Sequence, residues 1–323
     1  MITTWIAPVV ALVVSAGLVA LLTRVGNGIA LDIPNERSLH DRPVPRSGGV
    51  AIVIGIMAAW LIPGVSPNLE IWIALIVLAG ISLADDIGGI SILLRLSAHL
   101  AAAAIVLAHS SVDWGQAITL ILVLGVVWVI NLYNFMDGSD GLAGGMALFG
   151  FGSYSLAAWI GGDTTLAVEC AAIAAAAAGF LPFNFHPARI FMGDVGSIPL
   201  GFLAAILGVQ GWQTGTWPLW FPLLVFSPFL VDATVTLVRR ALHRQKVWDA
   251  HRDHYYQRLV RMGWSHGRLA LCEYALMAGT GFSAVLMLDL AAPIQWAAMV
   301  VWSTIYLVSM AATDSHWRQS KLH

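Results

Sequence analysis

Long apolar runs separated by short polar stretches occupy nearly all of the chain. They fall at about 4–23, 48–63, 69–84, 93–109, 116–132, 142–160, 164–181, 196–212, 216–238, 269–288 and 292–311. Each is long enough for a helix that crosses all or most of a bilayer, so the pattern predicts an all-α polytopic membrane protein with eleven spans. Ten is the alternative count, because the second and third runs are short enough to merge. The first run has no basic residue before it and no small-residue cleavage site after it, so it reads as a retained helix and not a signal peptide. The alanine-rich stretch 171–178 reads as a helix that permits close packing, and no tandem repeat interrupts the series.

Alternating the spans across a membrane puts all 16 Lys and Arg residues on or beside one face, with Arg95 at the start of the fourth span and the rest in loops. The opposite loops carry Glu70, Asp113 and Asp163 and no basic residue. The positive-inside rule then predicts an outside (periplasmic) N-terminus and a cytoplasmic C-terminus. One integral-membrane unit, 1–323, is expected, its active face built from loops 24–47, 85–92, 131–141, 182–195 and 239–268.

Composition narrows the class further. With 59% hydrophobic and 11% charged residues and a mean hydropathy of +0.80, a soluble globule is excluded. Net charge is only −2, so the placement of charge carries the information. Cys170 and Cys272 lie in apolar runs, which argues against a disulfide framework or a zinc site. The expected environment is the lipid bilayer, with no nucleic-acid partner.

The conspicuous polar clusters all fall at the basic face. Asn131, Asn134 and Asp137 recur at steps of three after the fifth span, with Asp140 just beyond and Gly138 and Gly141 placed to end the helix. A polar cap would need one or two such groups; four, two of them acids at a membrane boundary, point to a functional site. Asp85 and Asp86 end the third span, where acids oppose the helix dipole, and roughly 100° separates neighbouring side chains, so the two are expected to do different work. Before the eighth span, Gly193, Asp194 and Ser197 read either as an ordinary N-cap or as an anion site, with free amides at Gly196 and Ser197 and a cation on Asp194. Phe191 offers a face for a base or a piece of core.

In the segment 239–268, residues 250–261 read as an amphipathic helix on which His251, His254, Arg258 and Arg261 form one cationic stripe. A phosphate cradle fits it better than a membrane-surface or His/Asp metal site. Arg95 and His99, four apart, are candidates for a lipid phosphate, and Asp232 is expected to pair with a base or a helix end. Carboxylates without His or Cys partners suit Mg2+, with Mn2+ as the alternative, acting on a diphosphate.

Asp85-Asp86, the run Asn131-x-x-Asn134-x-x-Asp137-Gly-x-Asp140-Gly-Leu, the run Phe191-Met-Gly-Asp194-Val-Gly-Ser197 and His251-x-x-His254 resemble, in order, the polyprenyl-phosphate N-acetylhexosamine-1-phosphate transferase family. The resemblance spans almost the whole chain. It implies transfer of a sugar-1-phosphate from a UDP-sugar to undecaprenyl phosphate, with UMP released and Mg2+ required, at the cytoplasmic face of a bacterial inner membrane. By position it makes Asp194 and Asp137 metal ligands, and Asp85, Asp86, Asp137 and Asp140 the catalytic acids. Asn131, Asn134, Phe191, Gly193, Ser197, His251, His254 and Arg258 would serve nucleotide-sugar binding, Phe191 as the uracil platform. A homodimer is compatible with it.

Two departures matter. Ile87-Gly88-Gly89 stands where the phospho-MurNAc-pentapeptide members carry a lysine, and His-Arg-Asp-His is less histidine-dense than the typical GlcNAc-1-phosphate form. Both favour initiation of a surface polysaccharide such as O-antigen, with N-acetylhexosamine or a 6-deoxy-N-acetylhexosamine as donor sugar, over the peptidoglycan enzyme. A secondary transporter is the rival class, disfavoured because its acids would lie near the midplane.

Overall fold

A computed structural model of the chain describes residues 3–25, 30–32, 43–110, 112–246 and 251–320. Expectations resting on Arg37, Arg42, Ala250 and Lys321 lie outside the described residues. Among the described residues thirteen helices and one short ladder follow in order: α1 (Ile6–Val25), β1 (Leu31–Asp32), β2 (Val44–Pro45), α2 (Gly48–Trp60), α3 (Leu69–Gly88), α4 (Ile92–Ala108), α5 (Gly115–Phe135), α6 (Leu142–Ile160), α7 (Thr164–Asn184), α8 (Asp194–Gln213), α9 (Trp220–Val225), α10 (Ser227–Leu242), α11 (Tyr255–Arg261), α12 (His266–Met287) and α13 (Ala292–Ser320). Among the described residues seven helices, α1, α3, α5, α7, α8, α12 and α13, are long and apolar enough to cross a membrane, and α2 and α4 are shorter apolar helices. The protein is a polytopic membrane protein. A chain in lipid has to satisfy its backbone internally, which is why apolar runs become helices.

Ten of the eleven apolar runs coincide with single helices. The ninth, 216–238, is broken at Phe226 between α9 and α10. Pro228 opens α10 and has no N–H with which to continue α9, while the Ser227 hydroxyl donates to the Leu224 carbonyl at 2.6 Å. Hydropathy is continuous across the break and does not reveal it.

Burial ranks the helices. In α8, 78% of the most apolar window is buried, against 6% in α13, so α8 is the axis and α13 stands at the rim. The alanines of α7 let α1 and α6 approach closely enough for Ser15 to donate to the Ala176 carbonyl at 2.8 Å and Ser155 to the Ala167 carbonyl at 2.7 Å.

The all-α expectation holds, and one two-stranded ladder of two residues each accompanies the helices. β1 and β2 pair antiparallel, Leu31 opposite Pro45, and backbone hydrogen bonds tie β2 and the start of α2 to the stretch before α8. There the Phe191 amide donates to the Pro45 carbonyl at 2.7 Å, and the Gly48 and Gly49 amides donate to the carbonyls of Phe191 and Met192 at 2.9 and 2.8 Å. This seam joins the start of α2 to the start of α8. The C-terminal ends of α3 and α5 meet it there.

Candidate active site

The centre of the site is a helix start capped from another helix. Asp86, buried in the last turn of α3, accepts hydrogen bonds from the Asp194 and Val195 amides of α8 at 3.3 and 3.0 Å. The next two amides, of Gly196 and Ser197, donate to the Gly193 carbonyl at 3.0 and 3.1 Å. All four N-terminal amides of α8 are therefore taken, and the expected phosphate site at Gly196 and Ser197 is not formed. Ser197 is fully buried with its hydroxyl on the Gly193 carbonyl at 3.2 Å, so its side chain serves the helix start. Gly193 has φ +73°, and a Cβ there would overlap the Arg46 carbonyl and crowd Asp86 Oδ2. Only glycine fits.

Further acids gather around this cap. Arg95 Nη1 lies 2.6 Å from Asp85 Oδ2 and 3.0 Å from Asp194 Oδ2, bridging α3 and α8. Asp85 Oδ1 accepts the Ile90 amide at 2.5 Å, so Asp85 and Asp86 do separate work. Asn134 in the last turn of α5 stands beside the Asp194 side chain. Arg46 donates from Nη2 to the Asp86 carbonyl at 2.7 Å and holds Nε 3.6 Å from Asp86 Oδ1. Sequence reading counted Arg46 only as loop charge. Its position just before Ser47-Gly48-Gly49 was the available signal.

Asp137 lies in the turn after α5. Its carboxylate has no hydrogen-bond partner among the described residues, and burial, then the charges of Asp194, Asp86 and Asp32, push its pKa well above the ordinary carboxylate value. Like charges converging on a buried acid are what a bound cation would relieve. Among the described residues no group of three or more His, Cys, Asp or Glu side chains forms a closed metal cage. Mg2+ in general asks for fewer protein ligands than such a cage, one or two carboxylates completed by substrate phosphate oxygens.

The remaining expected residues divide. Helix α5 ends at Phe135, so Asn131 and Asn134 are helical while Asp137 lies beyond; Gly141, at φ +77°, starts α6 and does not end α5. The Asn131 amide group donates to the Val127 carbonyl at 2.7 Å, a helix-surface contact. Asp140 is buried and accepts the Ala188 amide at 3.1 Å beside His186 Nδ1 at 2.7 Å, and Asn184 ties the Gly141 amide to the Ile190 carbonyl. Asp140 thus fixes the turn leading to Phe191 and Asp194. His186 stacks on His266, whose Nδ1 lies 2.7 Å from the Ser139 hydroxyl. Neither histidine was given a role from the sequence. Phe191 is half-buried beside this turn.

The cationic stripe of 250–261 does not form. Helix α11 starts only at Tyr255, because Asp232 accepts the Tyr255 and Tyr256 amides at 2.9 and 3.0 Å. His254 is buried with Nδ1 3.4 Å from Asp232 Oδ1, and burial followed by His254 and Arg240 lowers the His251 pKa to about 4, leaving it neutral. Arg258 is bound to Asp314 at 2.9 Å, and the Arg261 guanidinium lies over Trp317. Tyr256 does reach the site: its hydroxyl donates to the Phe135 carbonyl at 3.1 Å, and a Cβ at Gly138 would overlap it.

The expected lipid-phosphate pair is also divided. Arg95 belongs to the acid cluster, while His99, one turn on, is buried with Nδ1 unpartnered among the described residues.

A membrane-embedded cluster of acids and arginines at the joined ends of several helices defines a class of proteins that handle charged substrates at the bilayer boundary. Residues 68–211 match the model of glycosyl transferase family 4. The chain is 31% identical over 318 residues to the decaprenyl-phosphate N-acetylglucosaminephosphotransferase of Mycobacterium tuberculosis, covering 82% of this chain and 76% of that protein. It is 28% identical over 302 residues to the probable undecaprenyl-phosphate N-acetylglucosaminyl 1-phosphate transferase of Bacillus subtilis, covering 86% of this chain and 84% of that one. A phospho-N-acetylmuramoyl-pentapeptide-transferase of Geobacillus kaustophilus is 34% identical over 169 residues, 51% of this chain and 50% of that protein. The chain belongs to glycosyl transferase family 4.

Proposed function

We propose that this protein transfers an N-acetylhexosamine-1-phosphate from a UDP-sugar to a polyprenyl phosphate, undecaprenyl phosphate in the first instance, and releases UMP. The observation that carries the reading is the meeting of Asp85, Asp86, Asp137 and Asp194 with Arg95 and Arg46 at the ends of α3, α5 and α8. In the reaction an oxygen of the lipid phosphate bonds to the sugar-bearing phosphorus of the donor. The bond from that phosphorus to the bridging oxygen breaks, and UMP leaves with the electron pair.

Asp194 and Asp137 would hold Mg2+, which when bound supplies charge neutralisation of the diphosphate. Asn134 orients Asp194, and Asp86 fixes the start of α8 on which Asp194 stands. Arg95, shared between Asp85 and Asp194, is placed to bind a phosphate oxygen of the substrates. Asp85, beside Arg95, would orient the acceptor. Phe191 and the segment 239–268 would meet the nucleotide and the sugar.

We assign the whole chain, 1–323, to one transferase unit with eleven spans, an outside N-terminus and the acids on the cytoplasmic side of a bacterial membrane. The charge asymmetry of the loops supports this orientation. The names of the full-length relatives make N-acetylglucosamine the first donor to test and a 6-deoxy-N-acetylhexosamine the second. The pentapeptide-sugar reading has weaker support, since that relative aligns over 51% of the chain. Surface-polysaccharide initiation is the corresponding pathway step.

The test is UMP release by purified protein with undecaprenyl phosphate, Mg2+ and, in turn, UDP-GlcNAc, UDP-FucNAc, UDP-QuiNAc and UDP-MurNAc-pentapeptide. Release with one of the first three, lost on omitting lipid or metal, is the expected result. Release with the pentapeptide donor alone would transfer the protein to the peptidoglycan branch. Silence with every donor, beside an active control transferase, would overturn the proposal.

A further inference from the structure

A second polar cavity, of about 330 Å³, lies where α10, α11 and α13 meet. It is set apart from the acids by α11: Tyr256 turns toward Phe135 and Gly138, whereas its neighbour Tyr255 hydrogen-bonds through its hydroxyl with Arg239 on the cavity side. Four arginines line the cavity, Arg239, Arg240, Arg258 and Arg318, against two acids, Asp253 and Asp314. Arg239 and Arg258 share the Asp314 carboxylate, one oxygen each, at 2.6 and 2.9 Å. Arg240 pairs with Asp253 and keeps its buried Nε unpartnered among the described residues. Arg318 contacts a backbone carbonyl, that of Asp314 at 3.3 Å, and among the described residues no carboxylate. The cavity thus carries two guanidinium charges more than its acids neutralise.

Its position selects the counter-charge. Asp314 and Arg318 follow directly on the last apolar run, and Arg239 and Arg240 close the ninth, so the cavity stands where the spans leave the hydrocarbon. Immediately before it on α13, Leu307 and Val308 are 68% and 63% exposed and face the surroundings of the bundle. An excess of arginine at headgroup level beside an apolar wall fits one ligand, the phosphate of an anionic lipid whose chains lie along α13.

We propose that this cavity binds the phosphodiester headgroup of an anionic membrane lipid. The bound phosphate takes up the surplus charge of the Arg239–Arg258 pair and of Arg318, with the open Arg240 Nε as a further donor, and so holds the α10–α13 contact to which α11 is tied through Arg258. The proposal shares the segment 239–268 with the donor reading above but is read without turnover, by lipid retention alone, so its failure and the failure of that reading are distinguishable.

The test is native mass spectrometry of the full chain, delipidated and then exposed to equimolar phosphatidylglycerol and phosphatidylcholine, with inorganic phosphate titrated in a parallel arm. The wild type is expected to retain phosphatidylglycerol in preference to phosphatidylcholine, and Arg240→Gln and Arg318→Gln are each expected to lower that retention by about fivefold. Arg318 is exposed in the last turn of α13, so R318Q leaves the measurement available if R240Q does not fold. Equal retention of the two lipids, or wild-type retention in R318Q, would overturn the site. Displacement of phosphatidylglycerol by low-millimolar inorganic phosphate would overturn the lipid as its occupant and reassign the cavity to a soluble anion.

Discussion

Helices α8 and α11 both start from amides held by an aspartate of another helix, Asp86 of α3 in the first case and Asp232 of α10 in the second. Around Asp86 stand Asp85, Asp137 and Asp194, with Arg46 and Arg95 as the only cations in direct contact among the described residues. Around Asp232 stand the Thr236 hydroxyl at 3.2 Å and buried His254, while the arginines nearby are tied to Asp314 and Asp253. The cap itself is scaffold in both places. What separates the two is the surplus of carboxylate beside α8, above all Asp137, whose carboxylate no cation among the described residues offsets by contact. Unmatched charge that persists in a buried place marks chemistry, not packing.

The largest effect expected from disturbing this comparison is at Asp86. Asp86→Ala strips two buried amides of their acceptor and leaves Arg46 facing the gap, a loss of about 3–5 kcal/mol by analogy with broken buried pairs. Thermal unfolding in detergent should fall steeply, and transfer should vanish. Asp86→Asn keeps an acceptor oxygen and should fold better while staying inactive; wild-type turnover in it would reduce Asp86 to a cap like Asp232.

A smaller effect is expected at the other helix. Asp232→Ala should free the start of α11 and raise the KM for the UDP-sugar by about tenfold, the loss of about 1.4 kcal/mol, with kcat changed less. A collapse of kcat at unchanged KM would instead make Asp232 part of the reacting centre. Gly138→Ala, which drives a methyl into the Tyr256 hydroxyl, should act in the same direction.

The raised pKa of Asp137 gives a pH test with a definite sign. Its proton is held above the ordinary carboxylate range and must leave before a cation binds, so apparent Mg2+ affinity should weaken as pH falls, by at most about tenfold per unit for one displaced proton. In Asp137→Asn that slope should flatten. Smallest of all should be Asn131→Ala, which loses only a bond to the Val127 carbonyl; a large fall in activity would show that its side chain leaves that bond to meet the substrate.

What was legible in the sequence followed from local properties. Hydropathy placed the apolar helices because lipid forces an apolar run to satisfy its own backbone, and the acids stood out because they are costly at a membrane boundary. What was hidden depended on partners far along the chain. The periodicity of 250–261 is helical, yet the helix waits until Tyr255 because Asp232, more than twenty residues earlier, holds its first amides. The start of α8 looked open to phosphate because nothing nearby in sequence fills it, and Asp86 arrives from another helix. Arg46 and His186 were overlooked for the same reason: their charge and rings gain meaning only beside Asp86 and Asp140.

The most direct measurement is UMP release by Asp194→Asn and Asp232→Asn side by side with the wild type, at saturating Mg2+ and with folding checked by thermal unfolding. Both proteins should fold. Asp194→Asn should lose transfer by about 10³-fold or more, as for removal of a group that stabilises charge in the transition state, while Asp232→Asn should turn over at raised substrate concentration. Near-normal release by Asp194→Asn, with Asp232→Asn silent at every concentration, would contradict the assignment of the reaction to the acid cluster at α8.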